Sequence, residues 1–113
     1  MKFERSDLSL INNVSEAEII AEFEKFGGGD AEDFVVLSKN DMNYIQAAPG
    51  DFEGEGLVLE YQDGSLDKHY SASDTNIPKE LILSVFLAYL KGEESWKDKF
   101  IWEKTILEEE DLA

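Results

Sequence analysis

The chain has 113 residues and no cysteine, and that absence removes both a disulfide framework and any thiolate metal site. A domain this small without either must rely on packing, which fits a reducing compartment, so a cytoplasmic location is expected. There is a single histidine, His69, which is too few for the multi-residue nitrogen and sulfur ligand sets that zinc uses. Bases are scarce: 10 Lys and Arg stand against 26 Asp and Glu, giving a net charge of -16. Nucleic acid and anionic membranes are polyanions and are repelled by such a field, so direct contact with either is not expected, whereas basic protein surfaces are attracted. Long apolar runs are also missing. Leu81 to Leu90, interrupted by Ser84, is about half of the ~20 residues needed to cross a bilayer. The polar segment Met1 to Asp7 lacks the apolar stretch of a secretory signal, so none is expected.

What is present points to a folded protein. Hydrophobic residues make up 42% and aromatics 12% of the chain, well above the apolar content of a disordered acidic segment. One core is expected, within a single α+β domain over residues 1–107, followed by an acidic tail at 108–113 that has little to bury. The acidity is concentrated: residues 28–76 carry 11 acids and 2 bases, whereas residues 91–104 carry 4 of each.

Ser15 and Glu18 form an S-x-x-E capping box ahead of Ile19, Ile20, Phe23 and Phe26, which recur at helical spacing, so a helix is expected over 15–26 with Gly27-Gly28-Gly29 as its exit. The pattern then becomes extended. Phe34 to Ser38 and Met42 to Ala48 read as two strands joined by Asn40-Asp41, with Pro49-Gly50 closing the second. Leu57 to Gln62 and Ser65 to Ala72 flank Asp63-Gly64, a pair that favours a two-residue type I′ hairpin. That register sets Tyr61 opposite Leu66 and leaves Val58, Glu60, Asp67 and His69 on the outward face. A second helix is expected from about residue 76 to 91, with Pro78 in its first turn, Gly92 as its cap and apolar residues around most of its circumference. Residues 95–107 fit either a strand or a helical stripe, and a strand is favoured. The expected architecture is an antiparallel meander of about five strands, with the N-terminal helix and the long apolar second helix on one face.

Candidate chemistry is thin. Glu60 and Asp67, facing each other across the hairpin, could serve as an acid-base pair, but a flat sheet face offers no pocket for it. Asp51, Glu53, Glu55 and Gly56 resemble the opening of a calcium loop, yet the twelfth position is Gln62 and strands flank it, so no metal is expected. The three glycines at 27–29 lack the following Lys-Ser/Thr of a phosphate-binding loop. With no activated nucleophile and no cofactor motif, catalysis is not expected. The residues left for recognition are the acids Glu60, Asp67, Asp63, Asp51, Glu53 and Glu55, with Trp96 as an aromatic that serves either a core or an interface.

Phe34-Val35-Val36-Leu37, Asn43-Tyr44-Ile45-Gln46 and the ending Pro78-Lys79-Glu80 through Phe86, Tyr89, Gly92, Trp96, Phe100 and Trp102-Glu103 resemble the first immunity family of bacterial polymorphic toxin systems. The resemblance spans residues 15–104; the loop 49–56 and the acidic tail depart from it. It implies a bacterial, non-enzymatic inhibitor that binds a cognate toxin, some members of the family neutralising nucleic-acid deaminases; together with the charge, the expected function is neutralisation of a nuclease or deaminase toxin through an acidic surface. Two other readings remain: an acidic nucleic-acid mimic that blocks a DNA-binding protein, and a small-ligand domain.

Overall fold

Alternation of apolar and polar residues along five of its strands gives this chain one sheet with an apolar and a polar side. A computed structural model describes residues 1–6, 9–26, 33–49 and 56–105. In chain order the elements are β1 (Lys2–Arg5), β2 (Leu10–Ile11), α1 (Glu16–Lys25), β3 (Val35–Asn40), β4 (Asn43–Pro49), β5 (Leu57–Asp63), β6 (His69–Ala72), α2 (Lys79–Leu90) and β7 (Trp102–Thr105), with 3₁₀ turns at Leu66–Lys68 and Ser95–Lys99. The fold is α+β, as expected, but the sheet has seven strands rather than about five. They lie in the order β2-β1-β3-β4-β5-β6-β7, and every neighbouring pair is antiparallel.

The two extra strands come from the polar N-terminus. Lys2–Arg5 carries a single apolar residue, and its strand conformation is imposed by pairing with β3, where Phe3 lies opposite Leu37. Phe3 is fully buried, and its ring meets Phe23 of α1 and Phe86 of α2 with centroids 6.5 and 6.4 Å apart. Phe23 and Phe86 are 5.1 Å apart, close to perpendicular. These three rings tie both helices to one face of the sheet. Burial there also takes Val35, Leu37, Ile45, Ala47, Leu57, Leu59 and Tyr61 from the strands.

Helix α1 begins as its sequence dictates. Ser15 Oγ accepts from Glu18 N and Glu18 Oε1 accepts from Ser15 N, which completes the capping box. Its far end receives Lys79 Nζ, which donates to Phe26 O at 3.0 Å. Helix α2 is shorter than expected, at twelve residues, because Ile77 is taken by a bridge to Leu57 with two backbone hydrogen bonds of 2.9 Å. Pro78 is therefore the N-cap. The helix buries Ile82, Val85, Phe86 and Tyr89, whereas Leu81, Leu83, Leu87, Ala88 and Leu90 stay partly exposed. Gly92, at φ +80, follows it in the left-handed conformation that glycine tolerates.

The hairpin register differs from the sequence expectation. A type I′ turn needs positive φ at both central residues, and only Gly64 has it, at +92. Asp63 instead continues β5 and pairs with Asn43 of β4. The chain then folds into the 3₁₀ turn Leu66–Lys68, where Ser65 Oγ donates to Asp67, before β6 begins at His69. Tyr61 consequently pairs with Tyr70 rather than Leu66, and Glu60 pairs with Ser71. The shift is an even number of residues, so the faces are preserved although the partners change. Glu60 and Asp67 do not face each other: Asp67 is exposed in the turn.

Candidate interaction face

Sheet parity sends one set of side chains away from the helices. Among the described residues no helix covers that face. The strand pairings arrange it in two rows. One row, across six strands, reads Glu4, Val36, Gln46, Glu60, Ser71, Glu103; the next reads Lys2, Ser38, Tyr44, Gln62, His69. The first row thus carries three carboxylates, and the second a line of hydrogen-bonding groups.

The centre of the face is a connected polar network. His69 is only 4% exposed, although it stands on the polar side. Its Nε2 lies 3.1 Å from Glu60 Oε2, and its Nδ1 lies 3.2 Å from Gln62 Oε1 and 3.4 Å from the Tyr44 hydroxyl. Gln62 Nε2 points the other way, to Met42 O at 3.4 Å and Met42 Sδ at 3.2 Å, and this assigns Oε1 to the imidazole side. Tyr44 donates to Gln62 Oε1 at 3.3 Å. Burial first, and the Glu60 carboxylate second, raise the Tyr44 pKa above the ordinary phenol value, which keeps its hydroxyl a donor. Gln46 Nε2 donates to Glu60 Oε2 at 3.3 Å. Both donors to Glu60 therefore use one oxygen, and Oε1 carries no hydrogen bond among the described residues. The carboxylate is held in place with half of its acceptor capacity unspent.

Beside this network lies a shallow depression of about 220 Å³ between β1, β3 and β4, bounded by Lys2, Glu4, Val36, Ser38, Asn40, Asp41, Tyr44 and Gln46. A second, narrower cleft of about 90 Å³ sits at the end of β5, between the C-terminal end of α2 and the 3₁₀ turn Ser95–Lys99. The protein's own cations occupy its aromatic faces. Lys97 Nζ lies 5.3 Å from the Tyr61 ring centre and 5.7 Å from that of Trp96, and Lys39 Nζ lies 5.0 Å from that of Tyr89. Burial works against the charge on Lys97, but the Glu94 carboxylate at 2.9 Å outweighs it and raises the lysine pKa. Burial first, and Asp63 second, push the Tyr89 pKa up to about 12.

Of the residues singled out in the sequence, Glu60 lies at the centre of the open face and Asp67 in the turn at the end of β5 and β6. Asp63 is exposed at the mouth of the narrow cleft. Asp51, Glu53 and Glu55, and with them most of the calcium-like loop, lie outside the described residues, as does the acidic tail. Trp96 is 2% exposed: it packs edge-on against Tyr61, Tyr89 and Trp102, and its Nε1 donates to Glu93 O. It belongs to the core and offers no surface. Sequence reasoning passed over Tyr44, Gln46, Gln62 and Ser38. The signal for them was the i, i+2 spacing of polar residues within strands otherwise apolar, Tyr44 with Gln46 and Glu60 with Gln62. Among the described residues, no group of three or more His, Asp or Glu is placed to hold a metal ion, and no helix is long and apolar enough to cross a membrane. No family model, no curated protein and no solved structure matches this chain.

Proposed function

We propose that the protein is an immunity-type inhibitor that binds a cognate toxin domain with a basic surface and neutralises it, acting by binding and not by chemistry of its own. The observation that carries this reading is the uncovered sheet face with Glu4, Glu60 and Glu103 in one cross-strand row. A toxin that acts on nucleic acid, a nuclease or a deaminase, needs a basic cleft for its polyanionic substrate, and a rigid acidic face complements such a cleft. The net charge of -16 supports the same reading. Complementary fields raise association above the ~10⁵ to 10⁶ M⁻¹s⁻¹ of neutral partners, and speed suits an antidote that meets its toxin in the cytoplasm.

The nucleic-acid mimic is less well supported. Duplex DNA presents one charge per ~1.7 Å of axis, whereas the carboxylates of the row stand two and three strands apart, roughly 10 and 14 Å at the usual strand spacing. A small-ligand domain is also less well supported, since clefts for such ligands measure about 300 to 1,000 Å³ and the depression holds about 220 Å³.

The test is co-expression with the toxin domain encoded beside the gene. Protection of the cells, and a one-to-one complex whose association slows as salt rises, are expected. A gene neighbourhood without a toxin, or a toxin that neither binds nor is neutralised, would sink the proposal.

A further inference from the structure

His69 is the only histidine of a chain without cysteine, and so the only side chain of a type that ordinarily titrates between pH 5 and 8. It is buried at the centre of the open face, and both ring nitrogens meet oxygen atoms: Nε2 meets Glu60 Oε2, and Nδ1 meets Gln62 Oε1 and the Tyr44 hydroxyl. Gln62 is fixed in this orientation by its Nε2, which donates to Met42. Two arrangements of protons fit the geometry. With an uncharged ring, Nε2–H donates to Glu60, Nδ1 accepts from Tyr44, and Gln62 Oε1 receives a bond from neither. With a proton on both nitrogens, Nδ1–H donates to Gln62 Oε1 and the Tyr44 hydroxyl turns to the same oxygen, at 3.3 Å. The other uncharged tautomer would set the Nε2 lone pair against the Glu60 carboxylate. One proton therefore reorders three side chains. The charged and titratable groups around the ring are Glu60 from β5, Tyr44 from β4, Glu103 in the adjacent row on β7, and the exposed Asp67 and Lys68 of the turn before β6. The residue paired with His69 on β7 is Thr105, which does not titrate. Carboxylates, phenols and lysines ordinarily titrate outside pH 5 to 8, so within that range a change of charge on this face belongs to the imidazole.

We infer that His69 is a proton-operated switch on the affinity of this face for a basic partner. Uptake of a proton puts a positive charge 3.1 Å from the Glu60 carboxylate and offsets one of the three charges in the acidic row. It also sets a like charge behind any cation that docks on Glu60 Oε1, the oxygen that His69 and Gln46 leave free. The face thus holds a basic partner more tightly at neutral than at mildly acidic pH. Linkage makes the effect reciprocal: a cation docked on Glu60 drives the proton from His69. Burial of the ring keeps salt from screening the interaction as it screens exposed charges. The switch rests on the proposed inhibitor function and supplies a regulation of its interface.

The full chain, labelled with ¹⁵N, is taken from pH 8 to pH 5 and followed by nuclear magnetic resonance at the His69 ring, the Gln62 side-chain amide and the Tyr44 amide. All three are expected to move together with one midpoint. A ring that does not titrate in that range, or a Gln62 amide that ignores it, overturns the inference. Binding of acetyl-tetra-arginine amide is then compared at about pH 7.5 and pH 5.5 at fixed ionic strength. The affinity is expected to fall by about fivefold at the lower pH, the effect of one like charge beyond the carboxylate that holds the cation. In His69→Gln, which shares every carboxylate and the N-terminal amine, the two affinities are expected to agree within about twofold. Should that variant fail to fold, Glu60→Gln keeps the titrating ring, removes the carboxylate through which it acts, and is expected to show the same indifference to pH. Equal wild-type affinities at the two pH values, or a fivefold loss that persists in the variants, also overturn the inference. Its failure is separable from failure of the inhibitor reading. A toxin held equally well at both pH values leaves the function standing and removes the switch, whereas the expected peptide behaviour in a protein that neutralises no toxin leaves the switch without the function.

Discussion

Replacing Trp96 by alanine discriminates between two roles that the sequence leaves open for this residue, interface anchor and core. The indole is 2% exposed, and its ring centre lies 5.1 Å from Tyr61, 6.0 Å from Tyr89 and 5.9 Å from Trp102, all edge-on pairings. Truncating a buried tryptophan costs roughly 3 to 5 kcal/mol in lost transfer energy and cavity formation. Aromatic pairs contribute about 0.5 to 1.5 kcal/mol beyond area, which places Trp96→Ala toward the upper part of that range. The lost N–H bond adds little, because Glu93, whose carbonyl accepts it, is solvent-exposed. A domain of this size is stable by about 5 to 15 kcal/mol, so the variant should still fold in water but unfold early. With a urea slope between about 1 and 3 kcal/mol/M, a loss near 4 kcal/mol lowers the midpoint by roughly 2 M. The assay is urea unfolding followed by far-ultraviolet circular dichroism, since the substitution removes one of the two tryptophan fluorophores. A midpoint within about 0.5 M of wild type at unchanged slope would refute the core assignment and return Trp96 to the list of surface anchors.

Ser15→Ala should cost about 1 kcal/mol in the same assay by removing the capping box of α1, and no effect would mean that the helix start is held by packing alone. Gly56→Ala should destabilise by about 1 to 3 kcal/mol, because a Cβ there would fall on the side chain and Cα of Asn76; a neutral result would show that the Leu57–Ile77 bridge yields. Alkaline pH gives a further check. Tyr89 has a folded pKa of about 12 against 10.0 for a free phenol, so its contribution to stability is intact below pH 10 and is lost as pH rises toward 12. Urea midpoints should fall across that window and recover in part in Tyr89→Phe, and a pH-independent midpoint would contradict the burial of this hydroxyl.

Elements whose signals are local were legible in the sequence. The capping box placed α1 to within a residue of its start, and β-branched runs between turn residues placed β3 and β4. Long-range pairing was not legible: β1 has a polar sequence and β2 only two residues, and both exist because β3 offers an edge that Phe3 can cover from the core side. Residues 95–105 satisfied both periods because the chain uses both, a 3₁₀ turn and then a strand. The hairpin at Asp63-Gly64 was misread since its dipeptide fits a tight turn, while pairing with β4 keeps Asp63 in the strand. For the open face, parity was readable and register was not. Glu60 and His69 were placed on the correct side, but their mutual contact depends on the four-residue shift that the 3₁₀ turn introduces.

That contact also bears on how an acidic face can be kept without weakening the fold. Roughly 10 Å separates Glu60 from Glu103 across two strand spacings, and at that distance in water two like charges repel by about 0.4 kcal/mol. Salt screens even this, because the separation equals or exceeds the Debye length of about 8 to 10 Å. Three carboxylates in a row therefore burden the folded state very little. A basic partner meets a different situation. Its cations approach within hydrogen-bonding distance and displace water, so each attraction is several times larger than the repulsions within the row. The side-chain ordering that docking normally costs, about 0.5 to 1.5 kcal/mol for each flexible residue, is reduced at Glu60. His69 and Gln46 already hold that carboxylate through one oxygen and leave the other for a partner. Wide spacing within the row and restraint at its centre thus let the face be acidic enough to attract a basic partner while it remains part of a stable sheet.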